Sequence, residues 1–452
     1  MAAAAAAAPC WSDLPTDLLT SIVQLLELPG ALAFATVCAS WRSAAAAGGV
    51  PPPGTPWLMS WEQEPHPAIG RSRSAVTCKL RNLFDVDKAY SVTFPEGTFV
   101  TCCGASDRWL VVVDELCNLS LHNLFTSRTI PLPPVTAFPR VEAVCDDQGK
   151  IERYRLKTLY QHNPEVTYDA HHLATFFYRK AVLSGNPSRG GGDYIVTLVH
   201  YGGEWVSYAR AGDARWRVLV SNHYWGQDQH NGRIYAECAY HDGSIYAVTY
   251  KGGVERWVLD DAGPPLKKVV ALFRQYDAVL TRHLVASPGG GLWQVSAVWE
   301  PARAAAPDGI RFTFRVVDDD DGADAGGGAG ERGSMQEHAL FLGMNKSACL
   351  PARSFPGVRP GVLYFSAPWM RQYAPEMLER VGDWGGRDLP VSFPCSHPAP
   401  EMLERVGDWG GARAYDLKAR TRTFERVFPG LLPESARLMD CPTEVWITPN
   451  LY

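Results

Sequence analysis

The sequence lacks the cysteine spacing of a structural metal site. Its 11 cysteines are scattered over 452 residues, and no two of them form a Cys-x-x-Cys pair. Zinc modules usually hold their ion with such pairs, and small secreted domains join an even number of cysteines in disulfides. The pattern therefore argues against both classes and favours the reduced, mostly buried thiols of a cytosolic or nuclear protein.

Common catalytic motifs are missing as well. Neither the His-Glu-x-x-His of zinc proteases nor the Gly-x-Ser-x-Gly of many hydrolases occurs. The glycine-rich stretch at 188–193 lacks the Lys-Ser/Thr of a phosphate-binding loop and indicates a flexible turn. His171 and His172 are adjacent, and adjacent residues rarely share one ion. We predict no catalytic residue, no cofactor-binding residue, no cofactor and no metal site.

The chain also lacks an excess of positive charge and a long uninterrupted apolar run. Its net charge is -5 and its pI about 6.2, so no global attraction to nucleic acid or an anionic membrane is expected. The most apolar stretch, Leu18 to Trp41, is interrupted by Gln24, Glu27 and the helix-breaking Pro29-Gly30. This predicts two short amphipathic helices and no membrane span. Residues 1–9 have no basic region, so we expect a disordered tail and neither a secretory signal nor a transit peptide.

A helical pattern is present over residues 10–48. Apolar residues recur at three- and four-residue spacing from Leu18 to Trp41. A unit of about 40 residues is too small to be stable alone, so its apolar surface is expected to meet a partner or the rest of the same chain. The following residues, 49–56, are rich in proline and glycine and predict a linker.

The order and spacing of residues 11–44 closely resemble those of the F-box. The residues that carry this resemblance are Trp11-Ser12-Asp13-Leu14-Pro15, Asp17-Leu18-Leu19, Val37-Cys38 and Trp41-Arg42. The F-box family docks on a Skp-type adaptor, which joins it to a cullin-based ubiquitin ligase. The resemblance implies that the docking face or its support is formed by Leu14, Pro15, Leu18, Ile22, Leu26, Val37 and Trp41.

Short strands dominate the remaining sequence. Asp242-Gly243, Gly202-Gly203, Gly212-Asp213 and Gly252-Gly253 lie between alternating apolar runs, and such dipeptides are strong hairpin signals. The strand-turn-strand units recur roughly every 40–50 residues, which is typical of propeller blades. A sandwich is the alternative. We predict a mainly β protein, with a small α-helical F-box followed by a β-propeller of about six or seven blades.

Three phrases resemble one plant family, the F-box-associated KIB-type propeller domain: 108–134, His338 to Ala367, and Pro442 to Leu451. The resemblance places this domain at 57–452, with the acidic, glycine-rich residues 318–334 as a loop insertion. The strand beginning near Trp57 is expected to pair with Val445 to Thr448, since closing the ring removes exposed sheet edges.

One segment, APEMLERVGDWGG, occurs twice, at 374–386 and again at 399–411. A period of 25 residues is too short for a four-stranded blade, and structural repeats share a pattern without sharing every residue. The first copy is followed by three prolines before the second begins. We therefore predict an extra loop at 374–398 and no additional blade.

The two resemblances together imply a non-catalytic, substrate-recognition subunit of an SCF-type cullin E3 ubiquitin ligase. The F-box would bind the Skp-type adaptor, and through it a cullin, while the propeller binds a target protein. The alternative is a ligase-independent scaffold or inhibitor that binds a partner such as a kinase through the propeller, since some KIB-type relatives are linked to kinase regulation. No nucleic-acid or membrane partner is expected, and the predicted location is the cytoplasm, the nucleus or both.

Overall fold

The computed structural model describes most of the chain between the N-terminal helices and the last strand. The described residues are 11–447 apart from 27, 48–55, 62–74, 84–88, 107, 125–126, 158–164, 188–192, 220–233, 261–262, 272–278, 300–309, 318–335, 356, 367–412, 417–423 and 427–442. The predicted tail at 1–9, the loops at 318–334 and 374–398, and both copies of the repeated segment lie outside these residues.

Three helices, not two, follow a single 3-10 turn at Trp11–Asp13: α1 (Thr16–Gln24), α2 (Leu28–Val37) and α3 (Ala39–Ala47). The prediction of two helices between Leu18 and Trp41 is wrong, because the chain leaves helical geometry at Cys38 and a further helix begins at Ala39. The Cys38 carbonyl accepts the first hydrogen bond of α3 from Arg42 N (3.0 Å). Arg42 Nε also donates to the Ala35 carbonyl (3.3 Å), which satisfies an acceptor at the end of α2.

The rest of the described chain consists mainly of strands, with one further helix, α4 (Ala170–Phe176), capped by the Asp169 carboxylate, which accepts a hydrogen bond from His172 N. The strands are β1 (Trp57–Trp61), β2 (Val76–Asn82), β3 (Ala89–Phe94), β4 (Thr101–Ser106), β5 (Trp109–Val113), β6 (Leu119–Asn123), β7 (Thr129–Pro131), β8 (Val141–Cys145), β9 (Ile151–Lys157), β10 (Glu165–Asp169), β11 (Tyr178–Leu183), β12 (Ile195–His200), β13 (Trp205–Arg210), β14 (Arg217–Leu219), β15 (Tyr235–His241), β16 (Ser244–Thr249), β17 (Val254–Val258), β18 (Leu266–Ala271), β19 (Val279–Ala286), β20 (Leu292–Trp299), β21 (Ile310–Val317), β22 (His338–Leu342), β23 (Ala348–Pro351), β24 (Val362–Phe365), β25 (Arg413–Asp416), β26 (Phe424–Arg426) and β27 (Thr443–Ile447).

The predicted turns do join successive strands. Asp242 and Gly243 both have positive φ, 42° and 72°, and link β15 to β16 in the two-residue turn whose twist matches paired strands. Gly202-Gly203 and Gly252-Gly253 lie between β12 and β13 and between β16 and β17. Antiparallel meanders built on such turns form most of the sheets.

Within the described residues, the strands form seven sheets, and six of them are the blades of a propeller. Blade 1 is β27-β1-β2-β3, blade 2 is β4 to β7, blade 3 is β11 to β14, blade 4 is β15 to β18, blade 5 is β19 to β21, and blade 6 is β23-β22-β24-β25-β26. The side sheet, β8 to β10, lies outside this series because β4 of blade 2 packs directly on β11 of blade 3. The mainly β propeller fold is therefore confirmed.

Contacts between neighbouring blades continue around the whole ring. Aromatic side chains supply several of them, and buried polar groups and one close backbone approach supply the rest. In order around the ring the contacts are Trp61 with Phe99, Gly104 with Ala181, Cys238 with Thr197, His283 with Glu237, Phe312 with Phe365, and Phe341 with Trp446.

The ring is closed by the first and last strands of the propeller. β1 and β27 pair antiparallel, with Trp57 opposite Ile447 and Leu58 opposite Trp446, which confirms the predicted closure. The Trp446 ring is fully buried and meets Phe341 edge to face at a centroid distance of 5.4 Å. The pairing covers the sheet edge that an open blade would leave exposed.

Candidate partner-binding surface and the buried axial cluster

Helix α1 carries two apolar stripes on adjoining sides. Leu19 and Val23 are 0% and 1% exposed and pack into the small core of the three helices. Leu18 and Ile22, one position earlier in each turn, are 49% and 37% exposed. Successive helical residues are rotated by about 100°, so this shift by one position turns the second stripe out of the core. An apolar stripe beside a filled core is the geometry of a docking surface.

The core beneath this surface holds α1 in place through an aromatic pair. The rings of Phe34 on α2 and Trp41 on α3 lie 4.4 Å apart. Trp41 Nε1 donates to the Trp11 carbonyl at 3.0 Å, which ties α3 to the 3-10 turn ahead of α1. Ala31, Ala35 and the other small residues here let the helices approach closely. The alanine side chains therefore belong to the helical core, and they do not reduce the apolar surface of the exposed stripe.

The structure divides the seven predicted docking residues into two groups. Leu18, Ile22 and Val37 expose a large apolar surface, and Pro15 is exposed at the N-cap of α1. The others are partly buried against the helical core and would act as its support: Leu14, Leu26 and Trp41.

Two exposed apolar side chains were not among the predicted residues. Leu25 is 85% exposed and extends the Leu18–Ile22 stripe by three positions, and Trp11 is 74% exposed. Leu25 lies inside the apolar pattern from Leu18 to Trp41, but periodicity alone does not separate a core stripe from a second stripe beside it, and Trp11 precedes the pattern. The exposure of each residue, not the pattern, identifies them.

A cluster of charged side chains is buried where the inner strands of blades 3, 4 and 5 converge. Glu237 on β15 accepts a hydrogen bond from His283 Nδ1 on β19 at 2.6 Å and lies 3.2 Å from Lys180 Nζ on β11. These three side chains are 2–4% exposed. Ser347 Oγ donates to the second Glu237 carboxylate oxygen at 2.8 Å, and His283 Nε2 lies 3.1 Å from Thr281 Oγ1.

A hairpin loop of blade 6 completes this axial cluster. The loop, Gly343 to Ser347, joins β22 to β23. Lys180 Nζ donates to the carbonyls of Gly343 and Asn345, both at 2.7 Å. On its other side the loop forms a parallel bridge between Asn345 and Ala105 of β4, with Lys346 N donating to the Ala105 carbonyl at 2.7 Å. The loop of blade 6 therefore contacts the first strands of blades 2, 3 and 4.

Opposite effects act on the Glu237 carboxyl. Its burial raises the pKa, while the charges of Lys180 and His283 and the hydrogen bonds from His283 and Ser347 lower it, and the result is a pKa below the ordinary value. A buried carboxylate of this kind is stable only because its charge is paired and its oxygens accept hydrogen bonds. The cluster resembles an acid–base set in composition, but its polar groups are bonded to one another and to backbone carbonyls. Its geometry fits a structural role.

Sequence reasoning missed this cluster because its members lie far apart in the chain. The available signal was the presence of charged residues within three mainly apolar inner strands, since an unpaired charge is rarely buried. In the part of the chain that the structure describes, no group of three or more His, Cys, Asp or Glu side chains could hold a metal ion. Among the same residues, no helix has both the length and the apolar character needed to cross a membrane.

Comparison with known families gives two matches. Residues 80–391 match the family model described as the KIB1-4 beta-propeller, and residues 11–46 match the F-box domain. One similar protein, an F-box protein of Arabidopsis thaliana, is 32% identical over 28% of this chain, and the aligned part spans 33% of that relative. A second Arabidopsis F-box protein is 25% identical over 79% of this chain and 84% of its own length.

Solved structures resemble the chain only remotely. A 6-phosphogluconolactonase from Bacteroides uniformis is 12% identical and covers 58% of this chain and 82% of its own, with a TM-score of 0.27. The dihydro-heme d1 dehydrogenase NirN is 11% identical and covers 68% and 71%, with a TM-score of 0.22. At these scores neither likeness bears on activity.

Proposed function

Because this chain belongs to the KIB1-4 beta-propeller family and carries an F-box domain, we propose that it is the substrate-recognition subunit of an SCF-type cullin ubiquitin ligase. Its helical domain docks on a Skp-type adaptor, and its propeller holds a target protein. The chain itself performs no chemistry in this role. Such a complex acts in the cytoplasm, the nucleus or both.

The observation that carries this proposal is the exposed stripe of Leu18, Ile22 and Leu25 on α1. The helical core is already filled by Leu19, Val23 and Phe34, so the stripe is not needed to hold the three helices together. Large exposed apolar residues cost solubility unless a partner covers them. An adaptor with an apolar groove would bury this stripe as a helix-in-groove contact.

The propeller supports the second half of the proposal by its rigidity. The axial cluster joins blades 3, 4 and 5 to the loop of blade 6, so the described part of the ring is tied together at its centre. A rigid body loses little conformational freedom when it binds.

Adaptor binding is tested with a substitution that charges the exposed stripe. Leu18→Asp with Ile22→Asp should weaken binding to a purified Skp-type adaptor by at least tenfold, about 1.4 kcal/mol, because the carboxylates must be desolvated in an apolar groove. Gln24→Asp, at an exposed site away from the stripe, is the matched control and should bind like the wild type. Circular dichroism checks that all three proteins keep their helices.

Two results would decide against the ligase role. The first is failure of the wild type to bind any Skp-type adaptor, and the second is binding of the doubly charged variant as tight as that of the wild type. Proximity labelling with mass spectrometry then identifies the target protein. A target that is bound and inhibited, but whose lifetime does not respond to proteasome block, would instead support the ligase-independent scaffold.

A further inference from the structure

Blade 5 has fewer strands than its neighbours among the described residues. It consists of β19, β20 and β21, whereas blades 1 to 4 each have four strands. In blades 2, 3 and 4 the third strand is covered by a fourth that pairs with it antiparallel. The third strand of blade 5, β21, pairs with β20 over its full length, from Ile310 opposite Trp299 to Val317 opposite Leu292. On its outer side, β21 pairs with no other strand of the described chain.

The outer strands of the other blades carry features that prevent unwanted pairing. β7 and β14 have only three residues each, and β7 ends at Pro131. β18 carries Lys267 and Lys268. By contrast, β21 has eight residues in one continuous register, with no proline and no lysine. Since short length, proline and lysine are common means of blunting a sheet edge, β21 is the least protected outer strand of blades 2 to 5.

One face of β21 offers an apolar row to a further strand. Phe312 is buried and meets the Phe365 ring of blade 6 at a centroid distance of 5.7 Å. Because side chains alternate between the two faces of a strand, Phe314 and Val316 lie on the same face as Phe312, and both are half-buried. A strand added at this edge would cover their exposed sides if it carried apolar residues opposite them.

The other face of β21 differs in charge. Arg311 and Arg315 occupy positions of that face, and the strand contains no acidic residue. Charged residues directly opposite each other in paired strands attract if their signs differ and repel if they are alike. A second copy of β21 would bring two more arginines and no carboxylate. The sequence after β21, 318–334, is rich in aspartate and glycine, which are depleted in strands. The edge therefore suits a strand of another protein with acidic residues opposite the two arginines.

We propose that the target protein supplies the fourth strand of blade 5: an extended segment of the target, with apolar residues at alternate positions and acidic residues between them, pairs with β21. The inference rests on the proposed function, in which the propeller holds a target. The backbone N–H and C=O groups of the edge bind the segment irrespective of its sequence, and the two faces of β21 select the alternating pattern. Such a segment pairs only where it is extended, so this edge selects exposed strands and unfolded segments of the target over its helices.

A labelled, end-capped peptide of sequence Val-Glu-Val-Thr-Val-Glu-Val has this pattern and reads the same in both strand directions. Fluorescence anisotropy with the full chain should give saturable binding. Arg311→Glu with Arg315→Glu should weaken binding by about tenfold, because two attractive cross-strand pairs become repulsive. The same double variant should bind a peptide with lysine in place of each glutamate more tightly than the wild type does. Lys268→Glu, which reverses a charge on the outer strand of blade 4, is the matched control and should bind like the wild type.

A second experiment tests pairing through the backbone and needs no variant of the protein. In a strand that is bound along one edge, every second N–H group points to the partner strand. Two further peptides carry N-methyl groups, one on its odd residues and the other on its even residues. One of them should bind at least about tenfold more weakly than the parent peptide, because its hydrogen-bond donors to β21 are removed, and the other should bind like the parent.

Three results would overturn this inference: no binding of the parent peptide, no effect of the double charge reversal, or equal effects of the two methylation patterns. A wild-type dimer in light scattering that the peptide dissociates would also overturn it, by assigning the edge to a second copy. Adaptor binding is measured on the same proteins. A wild type that binds the peptide and not the adaptor overturns the ligase role, whereas one that binds the adaptor and not the peptide overturns only this inference.

Discussion

Replacing Lys180 by methionine tests whether the axial cluster holds the propeller together. The substitution keeps most of the side-chain volume but removes the ammonium group. Glu237 then loses its cation at 3.2 Å, and the carbonyls of Gly343 and Asn345 lose their donor. Because all these groups are buried, water cannot replace the lost bonds without opening the ring.

The expected loss follows from the burial of the pair. Removing one partner of a buried ion pair destabilises a protein by about 3–5 kcal/mol, mainly through the charge that is left uncompensated. Replacing Glu237 by glutamine in the same protein removes that charge. The double variant Lys180→Met with Glu237→Gln should therefore lose less free energy of unfolding than the two single variants lose together. The difference should be about 1–3 kcal/mol.

Guanidinium unfolding followed by the fluorescence of the 15 tryptophans gives the free energies of unfolding. The matched control is Lys150→Met, an exposed site whose free energy of unfolding should change by no more than about 0.5 kcal/mol. If Lys180→Met costs as little as this control, or if the two single losses simply add, the cluster does not tie the blades together and the argument from rigidity fails.

Three further predictions concern pH, packing and closure. Burial lowers the pKa of His200 to about 3, so between about pH 6.5 and 3 only the unfolded chain takes up this proton, and stability falls by about 1.4 kcal/mol per pH unit as the pH decreases. His200→Gln should remove that part of the slope in unfolding measurements at stepped pH. Gly104→Ala should cost more than about 3 kcal/mol, because its new methyl group would lie 2.1 Å from the Ala181 carbonyl oxygen. Trp446→Ala should lower the free energy of unfolding by about 3–5 kcal/mol, because it leaves a cavity at the contact that closes the ring.

Each of these predictions has a control within the same chain. A slope for His200→Gln equal to that of the wild type would assign the pH dependence to other groups. Gly185→Ala has its nearest neighbouring atom at 3.9 Å and should be nearly neutral, so equal losses at the two glycines would contradict the close approach of β4 and β11. Trp11→Ala, at a 74% exposed site, should leave the melting temperature almost unchanged, and a loss equal to that of Trp446→Ala would argue against closure by burial.

Much of the fold could be predicted because its signals are local. The Asp-Gly and Gly-Gly turns specify hairpins over a few residues, and the spacing from Leu14 to Trp41 specifies the helical domain. The closure between Trp57 and Ile447 was also predictable, since pairing the first and last strands covers the sheet edge that an open ring would expose. The break at Cys38 was not, because apolar spacing continues through it.

The features that escaped prediction depend on distant contacts. Lys180, Glu237 and His283 meet only after three blades have folded, and the sequence around each residue contains no signal that predicts its contact with the other two. The side sheet has the same strand and turn signals as a blade, so local pattern could not place it outside the ring. For the docking surface, the sequence identified the apolar positions of α1. Only the packing of α1 showed that Leu18 is exposed and Leu19 is buried.

The pairing of β1 with β27 also sets an order of events during synthesis. The helical domain leaves the ribosome first, but the ring cannot close until β27 follows, nearly four hundred residues later. At about 5–20 residues per second, this interval lasts roughly 20–80 seconds. Throughout it the exposed stripe on α1 is already complete, while blade 1 still lacks its inner strand. A nascent chain can therefore engage its adaptor before it is able to hold a target.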